Sequence, residues 1–321
     1  MMPRVRIANL PTPVETLPRL SAALNGPVIS IKRDDLTGGL GFSGNKIRKL
    51  EFVFAEARAN GAKTLITVGS VQSNHCRQTA ALADRLGREC IHGLFGQSPA
   101  ELDGNPLMDS LFGANVVWAE RENYERALNR ACDDAWVEGK RPYLLPLGAS
   151  NAVGTMGYVE AMKELMEQGT NTDTILLASS SGGTQAGLVL GARLFGYTGK
   201  ILGISIDHQA VKMQNKIAGL AGEASERIGE KITFAPNEIL INDEFIGPGY
   251  GVMGELEKNA IRLFAMKEGI LLDPVYTGRA AGGMIHLIER KQLVQGQNIL
   301  FWHTGGVPAL FAQPYQGILQ P

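Results

Sequence analysis

The amino-acid sequence predicts an α/β fold in which parallel strands are covered by helices on both faces. Short runs rich in β-branched residues alternate with segments of helical periodicity along most of the 321 residues. The runs at 174–178 and 201–206 are apolar on both faces of the predicted strand, as expected for parallel strands buried between helix layers. Many of the 39 glycines follow such runs and mark turns where a ligand can approach the backbone closely.

The alternation predicts nine strands, at residues 28–32, 64–68, 90–95, 115–119, 143–146, 174–178, 201–206, 270–272 and 298–302. Most of them are followed by a segment of helical periodicity, which gives the βαβ order of parallel sheets. Ligands of open α/β sheets bind beyond the carboxyl ends of the strands. We therefore expect the functional residues directly after these runs.

Composition and charge exclude several classes of function. The 31 basic and 32 acidic residues give a net charge of −1 without a basic block, which disfavours nucleic-acid binding. No apolar run approaches about 18 residues and no signal-peptide pattern opens the chain, so we expect no membrane span and a cytoplasmic location. Cys76, Cys90 and Cys132 lack CxxC spacing, and His303 has no second ligand at helix spacing. We predict neither disulfides nor a metal site.

Lys46 is the candidate catalytic residue. It follows the glycine-rich run at 38–44 and opens a segment with the periodicity of an amphipathic helix. The positive backbone dipoles at a helix start favour the neutral, nucleophilic form of an amine and also attract an anionic ligand. A lysine in this setting is suited to forming a Schiff base with a carbonyl compound.

A run of small residues after the strand at 174–178 predicts an anion site. The run leads into a helix and leaves several backbone N–H groups without intrahelical partners, a setting that suits a phosphate. Its members are Ser181, Gly182, Gly183 and Thr184. Polar side chains also follow the strands at 64–68, 270–272 and 298–302, which indicates that one ligand site is assembled from several strand ends.

Two other classes of protein stay open at this point. The run at 39–44 satisfies GxGxxG before a helix, which predicts a dinucleotide-binding turn and an NAD-dependent oxidoreductase. Against it, residues 33–37 separate the glycines from the strand, and the next strand is not followed by the acid that binds ribose. The other alternative is a non-catalytic amino-acid-binding protein on the same fold, although it would have little need of Lys46.

Seven motifs in chain order resemble one family of enzymes. They are PTPVETLPRL at 11–20, KRDD at 32–35, GNKIRKLE at 44–51, QSNH at 72–75, GPGYG at 247–251, DPVYTG at 273–278 and HTGG at 303–306. The ordered set resembles the pyridoxal-phosphate lyases of fold type II, in the group that contains D-cysteine desulfhydrase and 1-aminocyclopropane-1-carboxylate deaminase. The resemblance extends along the whole chain.

The resemblance implies two open, twisted and mostly parallel sheets flanked by helices, with a small domain inserted into a larger one. The expected large, cofactor-binding domain consists of residues 1–51 plus 156–321, and the expected small domain of residues 52–155. Two domains also agree with the length of the chain. The cofactor is expected in the cleft between them, and the enzyme is expected to be a homodimer.

The resemblance also implies roles for individual residues. Lys46 is implied as the lysine that forms the Schiff base with pyridoxal phosphate and later removes the substrate Cα proton. The run at 181–184 is implied to hold the cofactor phosphate. The other implied contacts are Asn74 with the 3′-oxygen of the pyridine ring, Ser73, Asn74 and His75 with the substrate, and Tyr250 and Tyr276 as the active-site tyrosines.

Thr277 departs from the deaminase pattern. That pattern reads Val-Tyr-Glu-Gly, with the glutamate at the pyridine nitrogen, whereas this chain has Thr277 in the place of the glutamate. A neutral hydroxyl does not hold that nitrogen protonated as a carboxylate does. With Thr277 in the place of the glutamate and Thr304 as the expected partner of the nitrogen, the ring is a milder electron sink. His75 also favours the desulfhydrase, because the deaminases usually carry glutamine there.

We therefore predict a carbon–sulfur lyase that converts a small amino acid, D-cysteine, into pyruvate, ammonia and sulfide. The milder sink is adequate for elimination of a good leaving group, whereas opening an unactivated cyclopropane ring is harder. L-Cysteate sulfo-lyase and 1-aminocyclopropane-1-carboxylate deaminase are the alternatives within the family.

Overall fold

The computed structural model describes residues 2–120 and 123–319, and its strands form two sheets. The strands are β1 (Val14–Thr16), β2 (Val28–Arg33), β3 (Thr64–Ser70), β4 (Glu89–Phe95), β5 (Asn115–Ala119), β6 (Pro142–Leu144), β7 (Thr174–Ser179), β8 (Lys200–Ser205), β9 (Leu240–Asn242) and β10 (Asn298–His303). The helices are α1 (Pro18–Leu24), α2 (Asn45–Ala59), α3 (Asn74–Arg85), α4 (Gly104–Leu111), α5 (Tyr124–Val137), α6 (Ala152–Glu167), α7 (Gly183–Phe195), α8 (Ala210–Arg227), α9 (Glu255–Glu268), α10 (Thr277–Glu289) and α11 (Gln313–Leu319).

The larger sheet has the strand order β1-β2-β10-β7-β8-β9. Its neighbouring strands are parallel except for β1 and β2, which are antiparallel. Alternate side chains of the central strands enter two different cores, because successive residues of a strand point to opposite faces. Leu176 and Phe301 pack with residues of α1, α9 and α10, whereas Leu177 and Trp302 pack with residues of α6 and α7.

The smaller sheet has the strand order β5-β4-β3-β6, and all its neighbouring strands are parallel. Its strands come from residues 64–144, which lie inside the small domain predicted at 52–155, while the domain boundaries themselves stay a prediction. The predicted α/β class with two mostly parallel sheets flanked by helices is confirmed. Within the described ranges, every helix falls short of the length and apolar character that a bilayer crossing requires.

The strand predictions are correct with one exception and two omissions. Eight of the nine predicted runs overlap an observed strand, and their ends differ by at most two residues. The run at 270–272 is wrong, because it forms irregular backbone although Leu272 is fully buried. Its backbone is bonded by side chains instead of a neighbouring strand, since the Leu271 carbonyl lies 3.0 Å from His303 Nε2. The omitted strands, β1 and β9, have only three residues each.

A buried group of charges fixes α2 against the larger sheet. Arg48 donates to the carboxylate of Asp34 at 2.8 Å and to that of Glu164 at 2.9 Å. Asp34 also accepts from Tyr158 Oη at 2.6 Å and from the Trp302 indole at 2.8 Å. Because these charges are buried together with their hydrogen-bond partners, they specify one position of the helix rather than a range of positions. The start of α2 is thereby held at the end of β10.

Candidate active site

A cavity of about 190 Å³ lies where the carboxyl ends of strands from both sheets meet. Its lining includes residues at the ends of β3, β4, β7, β8 and β10, the edge at which ligands of open α/β sheets bind. Ten of the residues predicted for the site are among those that line it: Lys46, Ser73, Asn74, His75, Ser181, Gly182, Thr184, Tyr250, Tyr276 and Thr304.

Lys46 lies in the first turn of α2 and reaches the cavity. Gly44 precedes the helix with φ of 126°, and a Cβ there would lie 2.9 Å from the Thr304 carbonyl oxygen, so glycine lets the helix start this close to β10. The Nζ atom of Lys46 donates to Asn45 Oδ1 at 3.0 Å. Burial lowers the pKa of the Lys46 amine to about 8, against the opposing effect of the Asp273 carboxylate. The amine is therefore suited to act as a nucleophile and as a base.

The start of α3 brings Ser73 and His75 to the same cavity. Ser73 also caps the helix, since its Oγ accepts from the Cys76 N–H at 3.1 Å. The Nε2 atom of His75 lies 2.9 Å from the Thr67 hydroxyl. Burial lowers the pKa of the His75 imidazole well below its usual value, and the charges of Lys46 and Lys49 lower it further. His75 is therefore a neutral hydrogen-bonding group of the cavity wall.

Asn74 is held in one orientation by two side chains behind it. Its Oδ1 accepts from Arg77 Nη1 at 2.7 Å and from Asn105 Nδ2 at 3.3 Å. Because Oδ1 is occupied, Nδ2 is the atom that remains to donate to a ligand. Arg77 is fully buried and also donates to the Ser43 carbonyl at 2.9 Å, so its guanidinium is committed inside the protein.

The predicted anion site lies at the start of α7. Gly182 precedes the helix with φ of 87°. The N–H groups of a first helical turn have no partner within the helix, and here the turn begins beside the lining residues Gly182 and Thr184. Ser181 Oγ lies 2.8 Å from Ser150 Oγ, and the Gly183 N–H donates to the same Ser150 oxygen at 3.3 Å. Gly183 is not among the lining residues, and its N–H is engaged by Ser150. This set of donors can hold a phosphate.

Lys49 and Ser150 are site residues that the sequence analysis missed. Lys49 is fully buried, and its Nζ donates to Ser150 Oγ at 3.1 Å and to the Gly148 carbonyl at 3.3 Å. Burial lowers the pKa of the Lys49 amine well below its usual value. A Cβ at Gly183 would lie 3.1 Å from this amine, so Lys49 stands beside the start of α7. A nearby anion would favour the protonated form of this amine and would then pair with its positive charge.

Tyr250 and Tyr276 both line the cavity and contact each other. Their hydroxyl oxygens are 2.5 Å apart, and their rings meet edge to face with centroids 5.9 Å apart. The Lys46 amine lies 5.9 Å from the centroid of the Tyr276 ring. Burial raises the pKa of both phenols, so both hydroxyls keep their protons at neutral pH. The site therefore combines an amine base with neutral hydroxyl donors.

Thr277 lies beside the cavity rather than in its lining. Its Oγ1 donates to Asp273 Oδ1 at 2.7 Å and accepts from the Asp273 N–H at 2.7 Å. Thr304, the other hydroxyl predicted near the pyridine nitrogen, does line the cavity. Sequence alone does not show this difference, because both threonines follow the predicted strand ends closely.

The glycines at 39–44 do not form a dinucleotide-binding turn. They follow the 3-10 turn Asp34–Leu36 instead of a strand. Residues 38–43 line a separate surface cavity, not the one that contains Lys46. The geometry of this loop therefore does not favour the oxidoreductase alternative.

Two buried polar atoms at the cavity have no hydrogen-bond partner within the described ranges. They are Ser179 Oγ and Asp207 Oδ1. Buried polar groups are nearly always bonded in native proteins, so these atoms indicate a polar ligand. Asp207 was also missed by the sequence analysis; its Oδ2 accepts from Ser180 Oγ at 3.0 Å. Together with Lys46 and the donors at α7, these atoms fit a phosphorylated carbonyl compound with a polar ring.

Comparison with known proteins identifies the family. The family model described as "Pyridoxal-phosphate dependent enzyme" matches residues 5–305. A crystal structure of a protein described as an ACC deaminase homologue is 36% identical, with a TM-score of 0.90 over 99% of this chain and 95% of that chain. Here ACC denotes 1-aminocyclopropane-1-carboxylate.

Two further structures share the fold at lower identity. The processed form of threonine deaminase isoform 2 from Solanum lycopersicum is 17% identical, with a TM-score of 0.67 over 93% of this chain and 80% of that chain. An O-ureido-L-serine synthase is 16% identical, with a TM-score of 0.67 over 96% of this chain and 93% of that chain. This chain therefore belongs to the pyridoxal-phosphate dependent enzyme family, and pyridoxal phosphate is its cofactor.

Proposed function

We propose that the enzyme catalyses β-elimination from D-cysteine or a closely related β-substituted amino acid, with pyruvate, ammonia and sulfide as products. The observation that carries the proposal is the placement of one half-buried amine and two neutral phenols on the same cavity. β-Elimination needs a base for the Cα proton and benefits from a proton donor for the leaving group. Lys46 supplies the first, and Tyr250 with Tyr276 supplies the second.

The residues of the cavity divide the work of binding and proton transfer. Lys46 and the donors around Ser150 and the start of α7 would hold pyridoxal phosphate, with Asn74 Nδ2 as a further donor. When bound, the cofactor supplies the electron sink for the charge that develops at Cα. Ser73 and nearby backbone N–H groups would orient the substrate carboxylate, which fixes the direction of the Cα–H bond. Lys46 Nζ then accepts the Cα proton.

The charges at the cavity favour a leaving group without a sulfonate. Lys46 is the only lysine or arginine among the described lining residues, and Asp207 adds a carboxylate. A sulfonate buried there would lack the cation that it needs. Arg77, which follows the cavity residue His75 in α3, is bonded to Asn74, Asn105 and the Ser43 carbonyl. These contacts support D-cysteine over L-cysteate.

1-Aminocyclopropane-1-carboxylate deaminase is the second candidate, because the relative with 36% identity is described as an ACC deaminase homologue. Two hydroxyl residues argue for the desulfhydrase instead. Thr304 offers a neutral group at the cavity, and Thr277 occupies the position of the glutamate in the deaminase pattern. Without a carboxylate at the pyridine nitrogen, the cofactor is the milder sink that suits elimination of a good leaving group.

We expect a substrate panel to separate these candidates. Purified enzyme is incubated with D-cysteine, L-cysteine, β-chloro-D-alanine, L-cysteate and 1-aminocyclopropane-1-carboxylate, and the 2-oxo acid released is measured. The expected kcat/KM for D-cysteine exceeds that for L-cysteate by at least about 100-fold, the cost of an unpaired buried charge. Enzyme with Lys46→Ala is the negative control. A higher kcat/KM for L-cysteate, or 2-oxobutanoate from the cyclopropane substrate as the fastest reaction, would contradict the proposal.

A further inference from the structure

A second cavity adjoins the active-site cavity. It has a volume of about 710 Å³ and is lined in part by the exposed residues Gln97 and Gln313. Ser70, Phe95 and Tyr250 line both cavities and therefore form the boundary between them. The larger cavity, which we call the outer cavity, gives water a route to this boundary.

Three hydroxyl groups form a chain from this boundary to the active site. Ser70 Oγ, at the end of β3, lies 3.1 Å from Tyr250 Oη, and Tyr250 Oη lies 2.5 Å from Tyr276 Oη. The chain crosses from the smaller sheet to the start of α10 in the larger domain. Ser70 is its outermost member and Tyr276, beside Lys46, is its innermost member.

The direction of the hydrogen bonds in this chain decides whether the Tyr276 hydroxyl can donate to a ligand in the active site. Each hydroxyl donates one hydrogen. When Ser70 donates to Tyr250, Tyr250 donates to Tyr276, and the Tyr276 hydrogen is free to point into the cavity. When the direction is reversed, Tyr276 donates outward and can only accept from a ligand. The direction of the Ser70–Tyr250 hydrogen bond therefore sets whether Tyr276 offers a proton donor or a proton acceptor at the leaving group.

We propose that Ser70 is a positioning residue that orients the hydroxyls of Tyr250 and Tyr276 so that the leaving group receives a proton. The proposal rests on the β-elimination proposed above. The sulfur leaves carbon with the electron pair of the C–S bond and takes the proton of the Tyr276 hydroxyl. Tyr276 then takes a proton from Tyr250, and Tyr250 takes one from Ser70. Water in the outer cavity returns a proton to Ser70. No group is oxidised or reduced.

The test compares leaving groups that differ in their need for a proton. Ser70→Ala and wild-type enzyme are assayed with D-cysteine, D-serine and β-chloro-D-alanine. Chloride leaves without a proton, so the kcat of Ser70→Ala for β-chloro-D-alanine is expected to stay within about 2-fold of wild type. The kcat for D-serine is expected to fall by about 10- to 100-fold. This loss does not exceed the smallest loss expected when a general acid is removed completely, about 100-fold. The loss of kcat for D-cysteine is expected to lie between the losses for the other two substrates.

Two further variants separate positioning from a general structural effect. Thr64→Val removes a hydroxyl from the other end of β3 and is expected to leave all three rates unchanged. In a Tyr250→Phe background, Ser70→Ala is expected to add little further loss, because its partner is already absent.

Each alternative outcome decides the matter. Equal losses for all three substrates, no loss for any, or an undiminished effect of Ser70→Ala in the Tyr250→Phe background would overturn the role of Ser70. In those cases the β-elimination itself would stand. Wild-type enzyme that releases pyruvate from none of the three substrates would overturn the proposed function and this inference together.

Discussion

Replacing Lys46 with alanine is expected to abolish turnover and the visible absorbance of the cofactor-loaded enzyme together. The amine is the nucleophile that the cavity offers to the cofactor aldehyde and also the base placed for the Cα proton. Loss of a general base alone lowers turnover by about 10²–10⁴-fold, and loss of covalent attachment adds to that. Steady-state rates and absorption spectra of the purified variant measure both effects.

The control for this variant is Lys63→Ala, which removes an exposed lysine just before β3. It is expected to keep both turnover and absorbance. The Lys46 variant should also fold normally, because its amine donates only to Asn45 and forms no ion pair in the described chain. Retention of turnover and absorbance by Lys46→Ala would contradict the assignment of this residue.

Replacing Lys49 with methionine is expected to weaken cofactor binding while leaving the cofactor-free protein at least as stable. The lysine is buried without a carboxylate partner, and burial holds its pKa well below the usual value. Removing a buried amine of this kind relieves a desolvation cost, whereas a phosphate at α7 loses a charged donor. The Kd for pyridoxal phosphate should rise by about 10- to 100-fold, the effect of one charged hydrogen bond.

Two measurements check the Lys49 prediction. Equilibrium titration gives the Kd for the cofactor, and thermal unfolding of the cofactor-free protein gives the change in Tm. At saturating cofactor, kcat is expected to stay within about 10-fold of wild type, because Lys49 stands beside the start of α7 and does not line the cavity that contains Lys46. An unchanged Kd would contradict the role of Lys49 in phosphate binding. A Tm that falls by several degrees would contradict the desolvation cost assigned to the buried amine.

Much of the site was predictable from the sequence because ligands of open α/β sheets bind beyond the carboxyl ends of the strands. Lys46, Ser73 and Thr184 follow strands or turns of the two sheets, and parallel strands bring their carboxyl ends to one edge. Asp207 obeys the same rule, since it comes directly after the strand predicted at 201–206, and it was missed only because no motif contains it. Lys49 also left a signal: it lies three residues after Lys46, which places both on neighbouring positions of α2.

Other features could not be predicted, because they depend on contacts between segments distant in sequence. Ser150 becomes part of the site only where the loop after β6 meets the start of α7. Thr277 belongs to a recognisable motif, but its hydroxyl is bonded to Asp273 instead of facing the cavity. Ile270 and Leu272 pack in the core while Leu271 is exposed, as in a strand, yet the Leu271 carbonyl contacts the His303 side chain instead of a neighbouring strand. Hydrophobic periodicity indicates which side chains are buried, but it does not indicate which groups form hydrogen bonds with the backbone.

The most direct test of the account is to locate the covalent bond between protein and cofactor. Cofactor-loaded enzyme is reduced with borohydride, digested and examined by peptide mass spectrometry. We expect the phosphopyridoxyl mass on Lys46 and on no other lysine. Its appearance on Lys49, the buried lysine beside the start of α7, or its absence from every peptide would contradict the central claim.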